Sequence, residues 1–229
     1  MLNSGLVLAI YFVAQILAAC AVMLYQYLTL GTIPSEIDAP LYGTALLFLN
    51  LVLVAVLPLT RLVRKPKAWL GGAEERKEQL QYGYGMELAA AVTVGLLLSL
   101  AGSWFLEYIG ADDGGTTEMF RQMLPHPLCL IGLCFIGPLA EELVFREGII
   151  SNLVKSGRSY SIAAVASALL FALAHGNVMQ GGVAFVLGMY LAWLYRRTGD
   201  LRLCLPVHIA NNTLAVILLY FDYTDNIHK

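Results

Sequence analysis

Glu141 and Glu142 stand side by side in Glu141-Glu142-Leu143-Val144-Phe145-Arg146, inside an apolar run from 127 to 152 that is long enough to cross a bilayer. One ionised side chain at the centre of a spanning helix costs about 2.5–3.5 kcal/mol on insertion scales, so this cluster must line a polar cavity or lie outside the membrane. Glu142 and Arg146 have i,i+4 spacing with the acid on the N-terminal side, which lets them pair and offset much of their burial cost. Glu141 projects about 100° away around the helix and is left as a free carboxylate, the form a general base needs. Glu147 lies toward the end of the run and reads as solvated.

Two more polar clusters follow on two other apolar runs. Phe171-Ala172-Leu173-Ala174-His175 puts Phe171 and His175 on one helix face. His208-Ile209-Ala210-Asn211-Asn212 puts His208 and Asn212 one turn apart. Imidazole and carboxamide both donate hydrogen bonds as neutral groups, which suits an oxyanion or a held water. A carboxylate, two imidazoles and an amide on three helices are the constellation expected for activating water and stabilising a tetrahedral intermediate in acyl transfer. A membrane transporter or proton-relay protein would use the same groups and is the alternative these residues leave open. A non-catalytic membrane scaffold is the third. The sequence shows no inverted repeat and no pair of broken helices in matching halves, which counts against transport.

The elements that carry these clusters follow from composition. The chain of 229 residues is 59% hydrophobic and 13% charged, with a mean hydropathy of +0.70, outside the range of soluble globular domains. The expectation is an all-α, polytopic transmembrane helix bundle of about seven spans, within six to eight, enclosing a polar intramembrane cavity. The spans fall near 5–29, 41–60, 86–109, 127–152, 160–175, 182–196 and 204–221. Residues 1–125 read as supporting helices, 126–221 as the core that carries the chemistry and 222–229 as a tail. Residues 61–85 form the largest loop, a solvated segment or a short surface helix with Trp69 and Tyr82 at the interface.

Most of the 14 basic residues follow the second, fourth and sixth spans, so the positive-inside rule predicts a cytoplasmic N-terminus and an extracytoplasmic C-terminus. Cys20, Cys129, Cys134 and Cys204 fall in apolar stretches without ligand spacing and read as buried hydrophobes. Leu17-Ala18-Ala19-Cys20 has the form of a lipoprotein processing box, but the apolar run continues through Leu28, so it reads as part of the first span. Ala164, Ala168 and Ala172 make a smooth stripe for helix packing. The partners implied are the bilayer and a membrane-associated chain, with no nucleic acid.

The order Glu-Glu-x-x-x-Arg, Phe-x-x-x-His, His-x-x-x-Asn resembles the motif set of the CPBP intramembrane proteases, the family of type II CAAX prenyl endopeptidases and bacteriocin-processing proteins. The resemblance covers about residues 137–213 and includes Tyr195-Arg196-Arg197-Thr198-Gly199. It implies an intramembrane endopeptidase acting on a membrane-associated peptide or protein, lipidated or not. Glu141 with His175 would polarise the attacking water, His208 and Asn212 would bind the oxyanion, and Glu142, Arg146 and Phe171 would support them. It also implies a choice of cofactor. Glu141, His175 and His208 would suffice as ligands of an open zinc site, whereas a metal-free site is favoured because Asn is a rare zinc ligand and a good oxyanion donor.

Depth constrains any such site. If the fifth span starts at Tyr160, His175 lies about 22 Å along it, near the far face, whereas His208 is only about four residues into the seventh. The groups are nonetheless expected within about 10 Å of one another, close enough for hydrogen bonds and one water. Convergence requires a later start or tilt of the fifth span, a deeper start of the seventh, or a segment around Gly176–Gly182 that folds back toward the bilayer.

Overall fold

The computed structural model describes residues 2–60, 62, 63 and 73–227, and the described residues are helical with no strand among them. We number the helices α1 (Leu2–Leu30), α2 (Ala39–Val56), α3 (Ala73–Tyr108) and α4 (Thr116–Met123), then α5 (Pro127–Lys155), α6 (Tyr160–Leu173), α7 (Val178–Thr198) and α8 (Cys204–Ile227). Six of them contain stretches long and apolar enough to cross a membrane: α1, α2, α3, α5, α7 and α8. The chain is thus an integral, multi-pass helical bundle. The fifth expected span, α6, has 14 residues and is about 21 Å long, short of the roughly 30 Å hydrocarbon thickness. Large side chains such as Leu24, Leu28, Leu97, Phe105 and Leu218 point outward, as a lipid-facing surface requires.

Local chemistry sets the helix ends. Asp38 Oδ1 accepts the Leu41 N–H at 2.8 Å to start α2, and Asn177 Oδ1 accepts that of Gln180 at 2.8 Å to start α7. Gly199, at φ 73°, ends α7 by returning its N–H to Tyr195, a left-handed conformation that favours glycine. Of the expected loop at 61–85, positions 61 and 64–72, including Trp69, lie outside the described residues. Residues 73–85 belong to α3, so they form no separate surface helix. The connection before α5 contains α4, which was not anticipated; its amphipathic turns set Met123 inward while Glu118 and Arg121 pair.

α5 is not a regular α-helix. Gly132–Ile136 and Leu143–Ile150 adopt wide turns with i→i+5 hydrogen bonding. The first has a clear cause and a clear effect. The Gly137 N–H bonds to the Gly132 carbonyl, and Pro138, five residues after Leu133, has no N–H, so the Leu133 carbonyl has no donor within its own helix. The amide of Asn212 on α8 takes that place, with Nδ2 at 2.9 Å.

The depth of the histidines follows from where α7 and α8 meet α3. Arg197, in the last turn of α7, pairs with Glu87 near the start of the spanning part of α3. Val207 packs directly on Gly95, where a β-carbon would come within 2.5 Å of it. Gly95 lies about 12 Å beyond Glu87 along the axis of α3. Leu203, Cys204 and Val207 are fully enclosed, so the chain is already inside the bundle when α8 begins. The seventh run therefore starts deep, which removes the conflict between His208 and His175.

The alanine stripe of α6 meets α7 closely. A β-carbon on Gly188 would lie 3.2 Å from the Phe171 ring and 3.3 Å from Ala168, and one on Gly181 would lie 3.0 Å from the Ala172 carbonyl oxygen. Gly188→Leu is expected to lower stability by about 1–3 kcal/mol through overpacking against backbone that cannot give way. Thermal unfolding in detergent checks this, with Gly5→Leu, in open space, as the control that should leave the midpoint in place.

Candidate active site

Three elements bring the polar groups together: α5 supplies Glu141, Glu142 and Arg146; the end of α6 supplies Phe171 and His175; and α8 supplies His208 and Asn212. Glu142 and Arg146 are completely buried. Arg146 Nε lies 3.2 Å from Glu142 Oε2, an ion pair without hydrogen-bond alignment, and both terminal nitrogens of Arg146 are buried without a hydrogen-bond partner. Its guanidinium stands over the Phe171 ring, 5.1 Å from the centroid. Glu142 has a second attachment, because its Oε1 lies 2.9 Å from His208 Nδ1.

His208 is held between the two glutamates, its Nε2 lying 3.4 Å from Glu141 Oε2. Carboxylate oxygens only accept, so Nδ1 donates to Glu142. The second contact, at 3.4 Å, is an approach without a hydrogen bond. His175 is set differently. Its Nδ1 lies 2.8 Å from the Phe171 carbonyl, which can only accept, so the hydrogen is on Nδ1 and the neutral ring keeps a lone pair on Nε2. Phe171 packs edge-on against both imidazoles, with centroids 4.8 Å from His175 and 5.5 Å from His208. The two rings thus flank one aromatic side chain at a common level of the bundle.

Two cavities meet at these groups. One of about 260 Å³ is walled by α1, α2, α4 and α5 and lined by Tyr11, Gln15, Tyr42, Asn50 and Glu141. The other, of about 250 Å³, is walled chiefly by α7 and α8 and is mostly apolar, with Phe171, Val183, Leu187, His208 and Val216 in its lining. His175, Gln180 and Asn212 belong to both walls.

Two details differ from expectation. Glu147 is not solvated: it is only 6% exposed, because the wide turns of α5 carry the whole stretch from Leu143 to Ile150 into the core. Glu141 is not a free carboxylate. Besides facing His208 it accepts the Tyr11 hydroxyl at 3.2 Å on Oε1, a contact from α1 across 130 positions of sequence. A tyrosine well inside a spanning helix, away from the interfacial belt, needs a partner for its hydroxyl. That was the one sequence signal for Tyr11, and it does not name the partner.

Among the described residues no three His, Cys, Asp or Glu side chains stand close enough together to hold a metal ion.

Fold and site together define an integral multi-pass membrane protein with titratable groups packed at the centre of its bundle. Residues 123–214, which hold every one of those groups except Tyr11, match the family model described as Rce1-like, Type II CAAX prenyl endopeptidase Rce1-like. The likeness first seen in the three motifs is borne out over this segment. The chain is 34% identical over 96 residues to the Membrane-embedded CAAX protease MroQ of Staphylococcus aureus, covering 40% of this chain and 39% of that protein. It is 27% identical over 205 residues to CAAX prenyl protease 2 of Arabidopsis thaliana, covering 73% and 66%. It is 26% identical over 121 residues to the Bacillus subtilis protein YdiL, covering 52% and 49%. The chain thus spans between about two fifths and two thirds of the length of these relatives. No solved structure matches it.

Proposed function

We propose that this protein is an intramembrane endopeptidase that hydrolyses a peptide bond in a membrane-associated peptide or protein by a Glu- and His-activated water, without metal. The observation that carries the reading is the arrangement of Glu141, His175, His208 and Asn212 around two cavities that share lining residues, inside the segment that matches the Rce1-like family. Water between Glu141 and His175 Nε2 loses a proton as it attacks the scissile carbonyl. The oxyanion is met by the second N–H of Asn212 and by His208, whose 3.4 Å contact with Glu141 is long enough to be exchanged for a shorter one. The amine leaves with the proton taken from water, and Glu141 is regenerated.

The substrate is of the CAAX type, in keeping with the names of two relatives, or of the leader type. The apolar cavity suits residues beside the scissile bond, and the basic face of the bundle, around Arg196, Arg197 and Arg202, is the cytoplasmic one.

The test compares terminal peptides in membranes from cells making the normal protein and Glu141→Ala, with and without chelator. Peptides that disappear with Glu141→Ala and survive chelation are expected. Unchanged peptides would remove the enzyme reading, and chelator sensitivity reversed by zinc would replace the metal-free one.

A further inference from the structure

The cavity walled by α1 and α2 on one side, outside the segment that matches the Rce1-like family, reaches Glu141 on the other. Its lining is unusual for the interior of a membrane bundle. Tyr11, Gln15 and Asn50 face it from two helices that are otherwise almost wholly apolar. Asn50 is 8% exposed, and its Oδ1 is buried with no hydrogen-bond partner in the protein. A buried amide oxygen left unpaired costs on the order of 1–3 kcal/mol, which a water reaching it would offset. A cavity of about 260 Å³ with several convergent polar groups has room and partners for more than one water.

Tyr11 connects that cavity to the carboxylate. Its hydroxyl donates to Glu141 Oε1 at 3.2 Å, while Oε2 of the same carboxylate faces His208. Contacts on both oxygens fix the plane of the carboxylate and its direction toward the cavity. Tyr11 is in turn held by its ring, which packs edge-on against Phe145 of α5 with centroids 5.6 Å apart. The ring contact sets the position of the hydroxyl independently of whether the hydroxyl bonds to anything.

We propose that the α1–α2 cavity is the water chamber of the site, in which Asn50 holds water and Tyr11 is a positioning residue that aims Glu141 at it. For its kinetic arm the inference rests on the peptidase reading; its other two arms do not.

The test uses the full chain in lipid nanodiscs. X-ray radiolytic footprinting oxidises a buried methionine only where water stands against it, and Met123, 1% exposed and part of the chamber wall, is the reporter. Met123 is expected to be oxidised in the normal protein and several-fold less in Asn50→Leu, which lines the chamber with hydrocarbon. In infrared difference spectra, with the Glu141 band assigned by its loss in Glu141→Gln, that band is expected to shift in Tyr11→Phe. On the peptide whose turnover depends on Glu141, Tyr11→Phe is expected to lower kcat about tenfold to a hundredfold with KM nearly unchanged, since a misaimed base slows the step without loosening the substrate. Tyr11→Phe keeps the ring contact with Phe145, so its thermal midpoint should stay close to normal.

An unlabelled Met123 in the normal protein, an unmoved Glu141 band in Tyr11→Phe, or an unchanged kcat overturns the proposal. If no peptide depends on Glu141, the peptidase reading fails by itself, while the footprint and the infrared band still decide whether the chamber is wet and Tyr11 holds Glu141.

Discussion

Glu142→Gln is expected to destabilise the folded protein by about 3–5 kcal/mol, enough to remove most of it from the membrane fraction. Glu142 is completely buried and is the ion-pair partner of Arg146, which is equally buried. Removing the carboxylate charge leaves a guanidinium in low dielectric with two nitrogens that already lack partners. The same substitution weakens the acceptor for His208 Nδ1, 2.9 Å away. The cation–π contact with Phe171 is already present in the normal protein and cannot compensate. The double variant Glu142→Leu/Arg146→Met should recover most of the loss, because replacing both charges with hydrocarbon removes the desolvation penalty along with the attraction. Thermal unfolding in detergent for the single and double variants decides the matter. A loss below about 1 kcal/mol in Glu142→Gln would mean that the pair contributes no more than an exposed salt bridge.

What could be foreseen of this architecture depended on whether the signal was local. The long spans were legible because about 20 consecutive apolar residues have few other uses, and the Glu142–Arg146 contact was legible because i,i+4 neighbours meet on any helix. The depth of His208 was not, because it depends on Val207 packing on Gly95 of another helix, a relation that helix length does not encode. The short α6 was overextended for the same reason: its apolar residues continue into a turn that Gly176, at φ 75°, makes. Pro138 was a readable cue that a carbonyl about one turn earlier lacks a donor, but only tertiary structure shows that Asn212 fills the gap. Tyr11 and Asn50 sit among apolar residues in helices that carry none of the three motifs, and the contact of Tyr11 with Glu141 and the cavity both share with Asn50 are products of packing alone.

Glu141→Gln should do the opposite of Glu142→Gln: little change in stability and a fall in turnover of about 10²–10⁴-fold, the usual contribution of a positioned general base. Glu141 is partly open, its side chain 19% exposed at the cavity wall, and it is not the partner of a buried guanidinium. The amide oxygen of glutamine can still accept from Tyr11, and its NH₂ can donate to His208 Nε2 when that nitrogen carries a lone pair, so the local hydrogen bonds survive in a new polarity. What is lost is the ability to take a proton from water. Two adjacent residues of identical type would then separate cleanly, one measured by unfolding and the other by turnover of the Glu141-dependent peptide. An equal loss of stability in both would mean that the two carboxylates act as one buried network through His208, and the division of roles between them would have to be given up. Turnover that persists within about tenfold in Glu141→Gln would move the base to His175, which lines both cavities.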